Sequence, residues 1–118
     1  MKNKIITLAV LTEARIDENR VPFSPTQISN LLNKFSNLKI IVQPSKRRCF
    51  KDKDYLKAGA QITDNLSSAD IIFGVKEVKV STLIMNKTYL FFSHTSKVRQ
   101  HIGQVIKDKA IIYKKELL

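Results

Sequence analysis

A single cysteine, Cys49, leaves no partner for an internal disulfide, and with only His94 and His101 beside it the sequence has no zinc-type ligand spacing. No apolar run approaches the ~18 residues of a membrane span, and Met1-Lys2-Asn3-Lys4 leads into a strand-length segment without a small-residue cleavage site. Secretion and membrane insertion are unsupported, and the expected location is the cytoplasm or an organellar matrix. Glycine is scarce too: Gly59, Gly74 and Gly103 stand in unrelated settings, and no G-x-G-x-x-G follows a strand. Acidic residues number 10 against 21 lysines and arginines, a net charge of +11 that first suggests nucleic acid as a partner. Against it, the lysines are scattered over turns and helix faces, aromatic residues do not alternate with them, and no recognition-helix or stacking motif is present. A solvated lysine-rich surface is the expected account. Only Lys46-Arg47-Arg48 forms a cluster; it follows a strand end and could bind an anionic substrate group.

What is present fits one domain: 118 residues, 43 % of them apolar, suffice for a single core. Lys4 to Leu11 is β-branched and almost continuously apolar, as a strand covered on both faces should be. Thr12 to Pro22 is polar and reads as a loop over the sheet edge. Ser24-Pro25-Thr26-Gln27 starts a helix with a capping box, and Ile28, Leu31, Leu32 and Phe35 mark its apolar face. Leu38 to Gln43 is a second buried strand, stopped by Pro44. Asp52 is expected to cap a short helix through Ala58, with Gly59 in a left-handed closing position, followed by a brief extended piece at Gln61 to Thr63. Asp70 to Val75 and Tyr89 to Phe92 are further strands, separated by a crossover of one or two helical turns over Val78 to Met85. A third helix is expected over Lys97 to Lys109 and a last strand over Ala110 to Tyr113. The order β-α-β-α-β-β-α-β, with connections too long for hairpins, predicts an α/β fold. A mostly parallel twisted sheet carries helices on both faces, Rossmann-like or flavodoxin-like.

Two strands end in chemistry. The run Ile71 to Val75 delivers Lys76 and Glu77, and Tyr89 to Phe92 delivers Ser93 and His94. In a parallel sheet those ends share the edge where open α/β sheets place their ligands. Each candidate also has a plain reading: Lys76 as a solvated lysine, His94 as a capping group, Arg20 as the partner of Glu18 or Asp17 in a loop ion pair. His101 is read as surface, Cys49 as a buried packing residue, and Phe50, Tyr55, Phe91 and Phe92 as packing.

Taken together, several segments resemble one family. They are Asn19-Arg20-Val21-Pro22 with Ser24-Pro25, Val42-Gln43-Pro44-Ser45 with Arg47-Arg48, Phe50, Tyr55, Ala58-Gly59-Ala60, Gly74 to Val78, and Asn86 to Thr95. The family is the amino-terminal domain shared by alanine dehydrogenase, nicotinamide nucleotide transhydrogenase and saccharopine dehydrogenase. Phe91-Phe92-Ser93-His94-Thr95 and Gln43 to Arg48 are more similar to the saccharopine-forming, lysine-ketoglutarate reductase branch. That resemblance implies an oxidoreductase of lysine metabolism that condenses the ε-amine of lysine with 2-oxoglutarate and reduces the imine with a nicotinamide cofactor. It implies Lys76 and His94 as the acid/base pair, Arg20 on a substrate carboxylate, and Glu77 and Glu116 near the substrate amine or tuning the lysine. Imine chemistry needs protons moved near neutral pH, which suits these residue types. It further implies NAD or NADP in the full-length enzyme and none on this chain, because residues 1–118 match the substrate-side domain and lack the nucleotide-binding one. The chain is then an excised or truncated domain, or a short protein that has kept the fold without the reaction; inactivity alone is expected. The alternatives are an alanine dehydrogenase-like domain and a non-catalytic basic binding module. Small amino-acid and 2-oxo-acid substrates are the expected partners, with neither nucleic acid nor membrane.

Overall fold

Apolar residues at consecutive positions of the first strand serve two cores at once. In β1 (Ile6–Val10), Leu8 and Val10 face one side with Ile40 and Val42 of β2 (Leu38–Val42), while Ala9 and the following Leu11 face the other with Ile41. The computed structural model describes residues 4–92 and the backbone of 111–113. After β2 the chain forms β3 (Gln61–Ile62), β4 (Ile71–Lys76), β5 (Thr88–Phe92) and β6 (Ile111–Tyr113). All neighbours pair parallel in the order β3-β2-β1-β4-β5-β6. This is the Rossmann order rather than the flavodoxin one.

Helix α1 (Pro25–Lys34) begins as its sequence predicts. The Ser24 hydroxyl accepts from Gln27 N at 3.2 Å, the Gln27 side chain accepts from Ser24 N at 2.8 Å, and Pro25 fills the first turn. Its buried Ile28 and the fully buried Tyr55 of α2 (Asp52–Lys57) pack with Val10, Ile40 and Val42 on one face of the sheet. Asp52, expected as the cap of α2, is not one. Lys51 takes the cap position without a side-chain bond, and the Asp52 carboxylate reaches back to Arg48 and to Ser45 N instead. Gly59 closes α2 at φ +108, a backbone conformation that calls for glycine. The other face gathers Leu11, Ile72, Val78, Leu83, Tyr89 and Phe91, and a 3₁₀ turn at Val80–Thr82 lies between Val78 and Leu83 in the chain. The helix expected over Lys97 to Lys109 lies outside the described residues. Among the described residues no helix is long and apolar enough to cross a membrane.

Strand β1 lies between β2 and β4, so the chain leaves β1 and β4 toward opposite faces. The strand order therefore reverses between their carboxyl ends, the place where doubly wound sheets hold their ligands. The loop from Leu11 to Pro22 and the pair Lys76-Glu77 sit there.

Candidate functional site

At the carboxyl edge of the sheet, side-chain bonds carry on where the strand ladders stop. Beyond β1 the Thr12 N–H donates to Gln43 Oε1 at 2.8 Å and the Thr12 hydroxyl to the Pro44 carbonyl at 2.7 Å. Gln43 Nε2 continues to the Asp64 carbonyl at 3.0 Å. Next to Thr12 the Glu13 carboxylate turns inward and accepts the amides of Val75 and Lys76 at 2.9 and 2.8 Å. Burial pushes the Glu13 carboxyl above its ordinary value, and those two amides partly oppose the push.

Glu18 and Arg20 form the second feature. Arg20 donates Nε and Nη2 to the two Glu18 oxygens, each at 2.8 Å, and its own backbone N–H at 3.0 Å. The carboxylate side is 7 % exposed and the guanidinium side 68 %, so the pair is anchored below and open above. Of the two pairings open to Arg20 in the sequence, Glu18 is the one formed; Asp17 pairs with Arg15 at 3.2 Å. Arg20, Thr12, Glu13, Glu18, Ser45 and Arg47 line a shallow recess open to solvent.

Lys76 is the last residue of β4, at the same edge, and its charge is among those that favour ionised Glu18. It does not line the recess. Glu13 bridges the two places, lining the recess with one end and holding the Lys76 amide with the other. Glu77 Oε1 stands 3.9 Å from Arg15 Nη1, and its Oε2 is buried with no hydrogen-bond donor among the described residues. Ser93, His94, His101 and Glu116 lie outside the described residues.

The basic cluster divides. Lys46 and Arg47 are exposed, and Arg47 Nη2 donates to the Glu13 carbonyl at 2.8 Å. Arg48, expected with them as an anion binder, is turned inward. It bonds Gln43 O, Phe50 O and Asp52 and stacks over Tyr55, with 5 % of its side chain exposed. Cys49 is exposed, contrary to the packing role expected of it. Sequence reasoning also passed over Glu13. The one signal available was a carboxylate two residues past the end of an apolar strand, in a chain poor in acids.

The model of the alanine dehydrogenase/PNT N-terminal domain family matches residues 9–118. The chain belongs to this family. Mitochondrial alpha-aminoadipic semialdehyde synthase of Bos taurus is 40% identical over 83 residues, covering 70% of this chain and 9% of the relative. The Arabidopsis thaliana alpha-aminoadipic semialdehyde synthase is 28% identical over 109 residues, covering 86% of this chain and 10% of the relative. Among solved structures, an L-alanine dehydrogenase superposes with a TM-score of 0.78 at 19% identity, over 92% of this chain and 32% of its own. The transhydrogenase from Sinorhizobium meliloti gives 0.75 at 18%, over 93% and 35%. The chain thus spans about a tenth of those curated relatives and about a third of those solved chains.

In this alanine dehydrogenase/PNT N-terminal domain the turn leaving β1 is rich in acids and free of glycine. A doubly wound sheet would cradle a pyrophosphate there on glycine amides, but no glycine lies between Leu11 and Phe23, and Glu13 and Glu18 bury two carboxylates.

The Glu18 pair has a measurable signature. Its hydrogen bonds to Arg20 hold the Glu18 carboxyl down at about 2, from an ordinary 4.5. A depressed acid stabilises the fold while it is ionised, so its contribution is complete above the ordinary value and disappears as pH falls toward 2. Urea unfolding of the wild type and Glu18→Gln should differ most near about pH 6, and the gap should close progressively below about pH 5. A gap that stays constant down to about pH 2.5 would show that Glu18 titrates like an unpaired carboxyl.

Proposed function

We propose that this chain is the substrate-binding and acid/base domain of a saccharopine dehydrogenase, or lysine-ketoglutarate reductase, type of oxidoreductase in lysine metabolism. The observation that carries the reading is Arg20, a guanidinium held from beneath by Glu18 and presented to a recess at the carboxyl edge of the sheet. With Nε and one edge of Nη2 satisfied, the fork keeps its outer edge for a substrate carboxylate. Similarity to the alpha-aminoadipic semialdehyde synthases supports lysine and 2-oxoglutarate as the substrates of this reading, and the mitochondrial relatives support an organellar matrix.

In this reading the lysine ε-amine attacks the 2-oxo carbon of 2-oxoglutarate, and water leaves as the imine forms. Lys76 and His94 move the protons this requires on oxygen and nitrogen. Glu77 and Glu116 meet the substrate amine or tune Lys76 in the same reading. Reduction belongs to NAD(P)H carried by a separate nucleotide-binding domain, so the chain alone should show no nicotinamide-dependent turnover.

Calorimetric titration of the chain with 2-oxoglutarate, pyruvate and lysine tests this. Saturable binding of 2-oxoglutarate, weakened by about tenfold or more in Arg20→Ala, is expected. Equal affinity in the variant, or no binding, would remove the reading; preference for pyruvate would favour the alanine dehydrogenase type. Duplex binding with a steep salt dependence would favour the basic binding module. Turnover by the 118 residues with lysine, 2-oxoglutarate and NADH or NADPH would overturn the need for a second domain.

A further inference from the structure

Successive N–H groups of a regular strand point to opposite neighbours. At the end of β4 they do not: Val75 N and Lys76 N both donate to Glu13, to Oε2 at 2.9 Å and to Oε1 at 2.8 Å. A bulge makes this possible. Phe73 pairs with Leu90 and Lys76 with Phe92, so β4 takes three steps (73 to 76) where β5 takes two (90 to 92). Gly74 lies inside the bulge, where a Cβ would stand 3.3 Å from Glu13 Oε2 and 3.1 Å from Leu11 Cδ1. The missing side chain leaves the carboxylate room to approach. On its other side Glu13 is fixed through its own carbonyl by Arg47.

The chemistry of the clamp is specific. The two N–H donors meet different oxygens of the carboxylate; glutamine would keep one acceptor and turn its NH₂ toward the other N–H. A carboxylate buried to 7 % exposure is costly, and here each of its oxygens accepts a backbone amide.

We propose that Glu13 is the positioning residue of this site: by holding the Val75 and Lys76 amides it sets the direction in which Lys76 leaves the sheet, and so the place of its Nζ relative to a substrate seated on Arg20. Glu13 touches no reacting atom. The proposal rests on the reading of Lys76 as a proton-transfer residue, and its test separates the two.

The test uses the full chain as wild type, Glu13→Gln and Glu13→Asp, each also combined with Lys76→Met. Amide exchange should accelerate at Val75 and Lys76 by about tenfold or more in Glu13→Gln, with Ile72 unchanged. Glu13→Asp keeps the charge on a shorter arm and should lie between. In the same samples, acetylation of Lys76 relative to Lys79, followed by mass spectrometry, should shift in Glu13→Gln. Affinity for 2-oxoglutarate gives the third readout: Glu13→Gln should weaken binding in the wild type and do nothing further in the Lys76→Met background. A general structural role would weaken both backgrounds alike and overturn the proposal. Unchanged exchange at Val75 and Lys76, or unchanged Lys76 acetylation, overturns it as well. If the wild type does not bind 2-oxoglutarate, the reading of the site fails, while exchange and acetylation still decide what Glu13 does.

Discussion

Replacing Arg48 by methionine should lower the unfolding free energy by about 3 kcal/mol, the lower end of the range for breaking a buried charged pair. The residue is 5 % exposed and joins three parts of the chain. Nη1 donates to the Gln43 carbonyl at the end of β2 at 2.7 Å, Nε to the Phe50 carbonyl at 3.3 Å, and Nη2 to the Asp52 carboxylate in α2. Its guanidinium carbon stacks 4.6 Å above the Tyr55 ring. Methionine keeps the volume and loses every donor, leaving two carbonyls and a carboxylate short of partners. Asp52 is 36 % exposed, so water can recover part of its solvation, which places the expected loss low in the range. Lysine should rescue less than half, because one point charge cannot serve three acceptors or stack as a plane. Urea denaturation at neutral pH measures all three proteins; a loss under about 1 kcal/mol for Arg48→Met would mean that the loop is held by other contacts.

Gly74→Val should be nearly as damaging, for a different reason. A first added carbon already meets Leu11 at 3.1 and 3.2 Å and Glu13 Oε2 at 3.3 Å, and valine adds two more carbons behind it. Overpacking of this kind costs about 1–3 kcal/mol. The carboxylate is the mobile partner in the clash, so faster exchange at the Val75 and Lys76 amides should accompany the loss of stability. If Gly74→Val unfolds at the wild-type urea concentration with both amides still protected, the close approach of β1 and β4 does not depend on glycine.

How much of this was legible beforehand depended on how local the cause is. The strands around Val10, Ile41 and Ile72, the capped start of α1 at Ser24 and the left-handed Gly59 are all written within a few neighbouring residues, and the sequence places them. So is the pairing of Arg20 with a carboxylate two positions away, although the choice between Glu18 and Asp17 needed the folded loop. Glu13 was not legible, because its partners lie 62 and 63 positions further on and exist only where β4 bulges. Arg48 was misjudged on a similar ground: a run of basic residues after a strand looks like a surface, but a ring from α2 and the carbonyls of its own loop turn one of the three inward. Asp52 followed it, drawn from its own helix end to the guanidinium. Residues whose roles depend on distant backbone groups are hidden from periodicity and capping rules.

The Gln43 side chain has a broader consequence. Its amide accepts from Thr12 and donates to the Asp64 carbonyl, so it acts as one extra peptide unit laid across the ends of β1 and β3. Three separate loops are thereby tied into one lattice before any ligand arrives. A ligand entering the recess meets groups that have already lost their freedom in folding, so less of its interaction energy is consumed in ordering them. Ligands of different length should then bind this rim with similar entropies, and differences in affinity among them should appear as enthalpy.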